Sequence, residues 1–251
     1  MCGRFAQVTP LQQLARQFQA VSKMAALESC YNISPAANVA VVRISPRSRN
    51  RVLESLQWGL VPHWTKDPSK GPGLANARAE TIEEKPSFKE PFKTQRCLVP
   101  VDGFYEWQQG GKAKQPYYFS MNDQKPFALA GLWDFWKPTA KQKGVSIVSF
   151  TLITTASNAL MEPIYDRMPV ILDEENFDLW LSPDYGDTEI LKYFLKPYSA
   201  EKMRAEAVSA FVNATSNQGP QCIEPGSIET PDKSGEPEST DPEESQMRFE
   251  L

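Results

Sequence analysis

The chain has 251 residues, 41% of them hydrophobic, with 27 basic and 31 acidic side chains and a net charge of −4. That length suits one large domain or two small ones, and no apolar run approaches the ~18–20 residues that cross a bilayer. Four scattered cysteines without a Cys-x-x-Cys pair, and a single histidine, exclude a disulfide framework and the common zinc clusters. The N-terminus lacks a basic segment followed by an apolar one, so the expectation is a soluble, cytoplasmic monomer without metal or cofactor. The charge is unevenly placed. Residues 226–251 carry eight acids against Lys233 and Arg248, a net −6, which leaves residues 1–225 at +2. That tail is rich in Ser, Pro, Glu and Asp and is read as disordered, because it cannot offset its ordering entropy. One folded domain, residues 1–225, is therefore expected, and its slight positive charge is compatible with a basic groove.

In chain order, Thr9-Pro10-Leu11-Gln12 predicts a helix start, with Thr9 as cap and Gln12 closing a capping box. Leu11, Leu14, Ala15 and Phe18 then supply a buried stripe. Strand-like runs follow at Val39–Ile44, Leu53–Trp58, Cys97–Trp107, Tyr117–Ser120, Phe127–Phe135 and Val145–Thr155, rich in Val, Ile, Tyr, Phe and Trp. Residues 109–112, Gln-Gly-Gly-Lys, suggest a hairpin turn. Helices are expected at Ala79–Lys85, Asn158–Met161, Glu174–Leu181 (capped by Asp173) and Thr188–Phe194. Irregularly spaced strands with peripheral helices predict an α+β fold around a strongly bent, mainly antiparallel, barrel-like sheet.

Four segments carry chemistry. Once Met1 is removed, Cys2 presents an amine and a thiol on adjacent carbons. The amine, with a reference pKa of about 8, condenses with aldehydes to an imine, and the thiol then closes a five-membered thiazolidine. The plainer reading of Cys2 is the start of a flexible arm. Gly3 permits close backbone approach, Arg4 is a phosphate ligand, and Phe5 anchors a strand. In Asn76-Ala77-Arg78-Ala79-Glu80-Thr81, an extended backbone puts Asn76 and Arg78 on one side, an amide beside a guanidinium. As plain structure this is a strand-to-helix junction. In Val101–Trp107, Glu106 lies between aromatic residues. It is either a solvated edge residue or, if buried, a general acid/base with a raised pKa. Trp58, Trp64 and Trp107 are core residues or, if exposed in a groove, stacking platforms for unpaired bases. Asp166-Arg167-Met168-Pro169, after the hydroxyls of Thr154, Thr155 and Ser157, reads as a turn with an internal Asp–Arg pair.

Taken together, these segments resemble the SRAP family (SOS-response-associated peptidases, the abasic-site processing proteins). The matching stretches are residues 1–5, Tyr31-Asn32-Ile33-Ser34-Pro35, Trp58-Gly59-Leu60-Val61-Pro62, 76–81, Lys85-Pro86-Ser87-Phe88, 97–107, 154–158, 166–170 and 219–225, in the family's order. The resemblance implies covalent capture of abasic sites in single-stranded DNA by a thiazolidine on Cys2, shielding the lesion, with autoproteolytic exposure of Cys2. It assigns Glu106 as the catalytic acid and Asn76 as the residue orienting the opened sugar. Arg4 and Arg78 would hold flanking phosphates, and Trp64 and Trp107 would wedge the strand.

One position departs from the family: Tyr165 stands where a histidine normally precedes Asp-Arg-Met-Pro. That histidine is taken to shuttle protons, and a tyrosine with a reference pKa of about 10 donates a hydrogen bond but shuttles poorly near neutrality. His63, beside Trp64, compensates or is simply a loop residue. Two other readings stay open on the sequence. An N-terminal cysteine also suits a glutaminase-like amidohydrolase, and aromatic and basic residues suit a non-catalytic single-strand-binding module.

Overall fold

A computed structural model of the chain describes residues 2–71, 73–108, 114–139 and 145–226. The expected hairpin turn at 109–112 and the acidic tail beyond 226 lie outside the described residues. In chain order the strands are β1 (Phe5–Gln7), β2 (Val21–Ser22), β3 (Cys30–Ile33), β4 (Asn38–Ile44), β5 (Arg51–Trp58), β6 (Asn76–Arg78) and β7 (Arg96–Val101). They continue with β8 (Gly103–Trp107), β9 (Pro116–Met121), β10 (Phe127–Trp136), β11 (Ile147–Ala156), β12 (Arg167–Pro169), β13 (Ile171–Leu172) and β14 (Met203–Ala207). The helices are α1 (Leu11–Gln17), α2 (Pro86–Thr94), α3 (Phe177–Leu181) and α4 (Thr188–Lys192).

Strands β11, β10, β7, β4 and β5 pair in that order, and β5 returns to β11 through a parallel pairing of Gln57 and Trp58 with Ser149 and Phe150. The ring closes on itself, which removes the open edges of a sheet. A second antiparallel sheet, β14-β9-β8-β1-β3, packs against it. The expected bent, barrel-like α+β core is borne out.

The period-two alternation of the strands divides the core. Val39, Val41, Cys97, Val99, Leu129, Phe150 and Leu152 point into one cluster, between the ring and the second sheet. Ala40, Val42, Leu98, Ala128, Ala130 and Leu132 point the other way. There Leu11, Leu14 and Phe18 of the α1 region, Phe88 and Phe92 of α2, and Phe177 and Trp180 of α3 cover them.

The run expected as one strand, Cys97–Trp107, is two. β7 ends at Val101 in the ring and β8 begins at Gly103 in the second sheet, with Asp102 at the corner between them. The Asp102 carboxylate accepts from the backbone N–H of Val8 (2.6 Å) and Thr9 (3.0 Å) and from the Thr9 hydroxyl, which ties the exit of β1 to the corner. Thr9 is thereby unavailable as a cap: α1 begins at Leu11 without a side-chain cap bond. At the corner a Cβ on Gly103 would lie 2.2 Å from the Tyr118 ring, so only glycine fits.

Three further expectations are corrected. The helix placed at 79–85 is a short 3-10 turn (Ala79–Thr81), and the real helix, α2, starts one residue later with Pro86 in its first turn. A proline there needs no N–H and has the right φ. Asp173 makes no cap bond, because its carboxylate takes hydrogen bonds from Tyr198 (2.8 Å) and Lys202 (3.1 Å) instead. Residues 158–161 form turns rather than a helix.

Candidate active site

Cys2 leads directly into β1, and β1 sets its neighbour. Phe5 pairs with Phe104 and Ala6 with Gly103 in antiparallel register, and the Tyr105 N–H donates to the Arg4 carbonyl at 2.9 Å. Continued two residues, that register brings Gly3 opposite Glu106, which places Cys2 beside the carboxylate. The Cys2 side chain is fully buried in the same cluster as Phe5, Trp58 and Phe150.

Burial governs the electrostatics here. Glu106 is 5% exposed, and burial pushes its pKa up to about 7. The positive chain terminus and the Trp107 backbone N–H offset part of that rise, while Asp166 adds to it. The carboxyl is thus divided between acid and base near neutral pH. The Cys2 thiol is pushed well above its ordinary range, first by burial and then by the charge of Glu106.

The loop after β11 delivers Tyr165. Asn158 anchors it, accepting from Met161 N–H (3.1 Å) and donating to the Tyr198 carbonyl (2.8 Å). Tyr165 is partly buried, and its hydroxyl is raised above the usual tyrosine value by burial, then by Glu106 and Asp166, with Arg78 and Arg167 opposing. Glu106, Tyr165, Asp166 and Arg78 therefore share one electrostatic neighbourhood with Cys2. The expected Asp166–Arg167 pair is corrected: Arg167 binds the Glu80 carboxylate through both terminal nitrogens (2.5 and 2.9 Å) and the Thr154 carbonyl at 2.7 Å.

Asn76 and Arg78 sit on β6, which adds in parallel to β11 with Leu152 beside Asn76 and Thr154 beside Arg78. Ala75, one residue earlier, packs on the Cys2 cluster. Asn76 Oδ1 is buried and has no hydrogen-bond partner among the described residues, an acceptor open to a ligand's donor. Arg78 is exposed.

Arg4 and Trp107 come together on the other flank. The Arg4 guanidinium lies 5.4 Å from the Trp107 ring and donates to Asn32 Oδ1 (2.6 Å) and the Val212 carbonyl (3.1 Å). Trp107 Nε1 donates to Asn213 at 2.7 Å. Sequence reasoning gave Asn32 no role. It is 2% exposed, and its amide donates to the carbonyls of Val212, Ala214 and Asn217, latching the C-terminal segment beside Arg4. The only sequence signal was its place in a matching stretch. Trp64 stands on a separate element, the loop between β5 and β6, and is 56% exposed. Among the described residues no group of three or more His, Cys, Asp or Glu side chains could hold a metal ion, and no helix is long and apolar enough to cross a membrane.

The model of the family described as SOS response associated peptidase (SRAP) matches residues 1–215. "Abasic site processing protein YoqW" of Bacillus subtilis is 41% identical over 227 residues, covering 89% of this chain and 99% of its own length. "Abasic site processing protein HMCES" of Gallus gallus is 37% identical over 207 residues, covering 73% of this chain and 60% of its own. A crystal structure of a protein from Bacteroides thetaiotaomicron superposes with a TM-score of 0.78 at 29% identity, over 90% of this chain and all of that one. By this match across the folded chain, and by the fold it shares with solved relatives, the protein belongs to the SRAP family.

Proposed function

We propose that the protein captures abasic sites in single-stranded DNA by a covalent bond to Cys2 and so shields the lesion as a DNA–protein crosslink. The observation that carries this reading is the pairing of Cys2 with a buried carboxyl whose pKa lies near 7. The names of the relatives, abasic site processing proteins, support the substrate.

The chemistry follows from the two perturbed groups. With Met1 removed, the Cys2 amine attacks the C1′ aldehyde of the opened sugar and gives a carbinolamine. Neutral Glu106 protonates the departing hydroxyl, water leaves, and an imine remains. The thiol then adds across the C=N bond: sulfur bonds to C1′, and its proton passes to nitrogen through the Glu106 carboxylate. One water is released in all. A thiol held protonated by burial disfavours attack by sulfur first, so the order is amine, then thiol. Asn76 Oδ1 accepts from a sugar hydroxyl, and Arg78 pairs with a flanking phosphate. Arg4, already bound to Asn32, Val212 and Trp107, holds the strand from a preorganised position. Incubation with single-stranded DNA bearing one abasic site tests the reading. An SDS-stable band is expected, and its absence would overturn it.

Arg78→Ala should weaken capture at subsaturating DNA and flatten its salt dependence. Each phosphate contact on a single strand contributes about 0.7 to the log–log slope. Titrations from low to high salt measure it.

Tyr165 keeps its proton throughout the neutral range and donates a hydrogen bond without shuttling. Ring opening of the abasic sugar and hydrolysis of the thiazolidine both need proton exchange, for which general acid–base groups typically contribute ~10²–10⁴-fold. Tyr165→His should therefore accelerate release of intact DNA from the preformed crosslink, with a pH dependence near the imidazole pKa. A chase with excess abasic DNA between pH 6 and pH 8 reads this. Equal exchange rates would show the position to be catalytically silent.

A further inference from the structure

The point at which the chain leaves the described fold is fixed by hydrogen bonds. The Gly226 N–H donates to the Ala207 carbonyl at 3.1 Å, and the Gln115 side-chain amide donates to the Gly226 carbonyl at 3.2 Å. Val208 bridges to Pro225, and the Ser209 N–H donates to the Glu224 carbonyl at 3.1 Å. Ala207 pairs with Tyr117 across β14 and β9, and Tyr117 pairs with Glu106 across β9 and β8. Glu106, Tyr117 and Ala207 thus form one row across three strands. At the usual strand spacing the exit lies about 10 Å from the backbone of Glu106. Arg4 and Trp107 stand at the same end of this sheet.

The two arginines assigned to phosphates carry charge that the fold leaves uncompensated. Arg4 donates to a side-chain amide and a backbone carbonyl and lies over an indole, all of them neutral. Arg78 is exposed and makes no ion pair among the described residues. Arg43, Arg51 and Arg167, by contrast, each meet a carboxylate, from Glu54, Asp178 and Glu80. The chain itself holds the complementary charge. Residues 227–251 carry eight acids against Lys233 and Arg248, and from Glu229 to Glu244 successive acids are at most four residues apart. This comb of carboxylates is attached beside the face that reads a comb of phosphates. Twenty-five residues span up to ~85 Å when extended, several times the distance to Glu106.

We propose that residues 227–251 fold back onto the capture face and occupy the Arg4 and Arg78 phosphate positions, so that single-stranded DNA binds only by displacing them. This rests on the DNA reading of that face and adds a built-in competitor to it. The segment lies beyond the family match, which ends at residue 215. A tethered competitor is present at an effective concentration in the millimolar range, whatever the concentration of the protein. Its grip is electrostatic and weakens as salt shortens the screening length. The tail therefore governs the encounter with DNA and leaves the reaction at Cys2 and Glu106 untouched.

The test compares the full chain with a full-length variant in which every acid of the tail becomes its amide (Glu229→Gln, Asp232→Asn and so on to Glu250→Gln). Three quantities are read: anisotropy of undamaged single-stranded DNA, the rate of adduct formation across DNA concentrations, and the side-chain Nε–H resonances of the arginines without DNA. In the variant, affinity should rise on the order of tenfold at low salt, and the gain should shrink as salt is added. Adduct formation should quicken by the same factor at limiting DNA and be unchanged at saturation. The Arg4 and Arg78 resonances should move, while those of Arg51 and Arg96 stay in place. A synthetic peptide of residues 227–251, added to the variant at millimolar concentration, should return them toward their wild-type positions. Equal affinity in the two proteins would overturn the proposal. So would a gain in affinity with the Arg4 and Arg78 resonances unmoved, which would reduce the tail to a charge that repels DNA from a distance. Wild type and variant alike failing to bind single-stranded DNA would overturn the DNA reading, while the arginine resonances still decide whether the tail docks.

Discussion

Cys2→Ser should reduce the SDS-stable adduct to background while leaving the fold intact. The amine survives in this variant, so an imine still forms. A serine hydroxyl, however, is too weakly acidic and nucleophilic to close the ring at neutral pH, and the imine hydrolyses on denaturation. Borohydride added during the reaction should therefore recover a crosslink from Cys2→Ser, and likewise from Cys2→Ala. The structural cost is modest. Cys2 is fully buried, and a buried hydroxyl without a partner costs about 1–3 kcal/mol, which a melting curve monitors. Wild-type adduct from either variant without borohydride would sink the thiazolidine. Labelling of Cys2 by a glutamine-like electrophile, with no DNA adduct, would instead favour the amidohydrolase reading.

Glu106→Gln should slow adduct formation under saturating DNA by about 10²–10⁴-fold, the usual worth of a general acid–base group, with little change in DNA affinity. The wild-type dehydration step should fall as pH rises through about 7, where the acid form is lost, and the variant should lack that inflection. The same group gives a second signature in stability. Its folded pKa is raised above the unfolded value of about 4.5, so its contribution is fully present below that value and is lost as pH climbs through about 7. The loss is on the order of 3 kcal/mol. Wild type should therefore lose thermal stability relative to Glu106→Gln between pH 5 and pH 8. A variant altered only in DNA affinity would remove Glu106 from the chemistry.

Local patterning made much of the fold legible. Continuous apolar runs in Val39–Ile44, Phe127–Phe135 and Val145–Thr155 marked the ring strands, because both faces of those strands meet apolar partners. Illegible features depend on partners far away in the chain. Nothing near Asp102 says that its carboxylate will bind Val8 and Thr9, and so the break between β7 and β8 was hidden inside an apolar run. Arg167 has an acid next to it, yet Glu80, 87 positions away, presents two oxygens in the fork geometry that guanidinium prefers. The helix expected over Ala79–Lys85 lies instead just beyond it, with Pro86 in the first turn of α2. At the site, residue types pointed to Cys2 and Glu106. Only the β1–β8 register puts them side by side, and only burial moves the carboxyl toward neutrality.

The latch at Asn32 has a consequence for the chain during its synthesis. Arg4 bonds to Val212, 208 positions away, and the Asn32 amide reaches carbonyls 180 to 185 positions away. Translation delivers these partners last. Until residues 212–217 emerge from the ribosome, the amino end lacks the carbonyls that hold Arg4 and Asn32. It also lacks Glu106 until that strand has emerged and docked. The two ends of the polypeptide are stitched together only when its last ordered residues arrive.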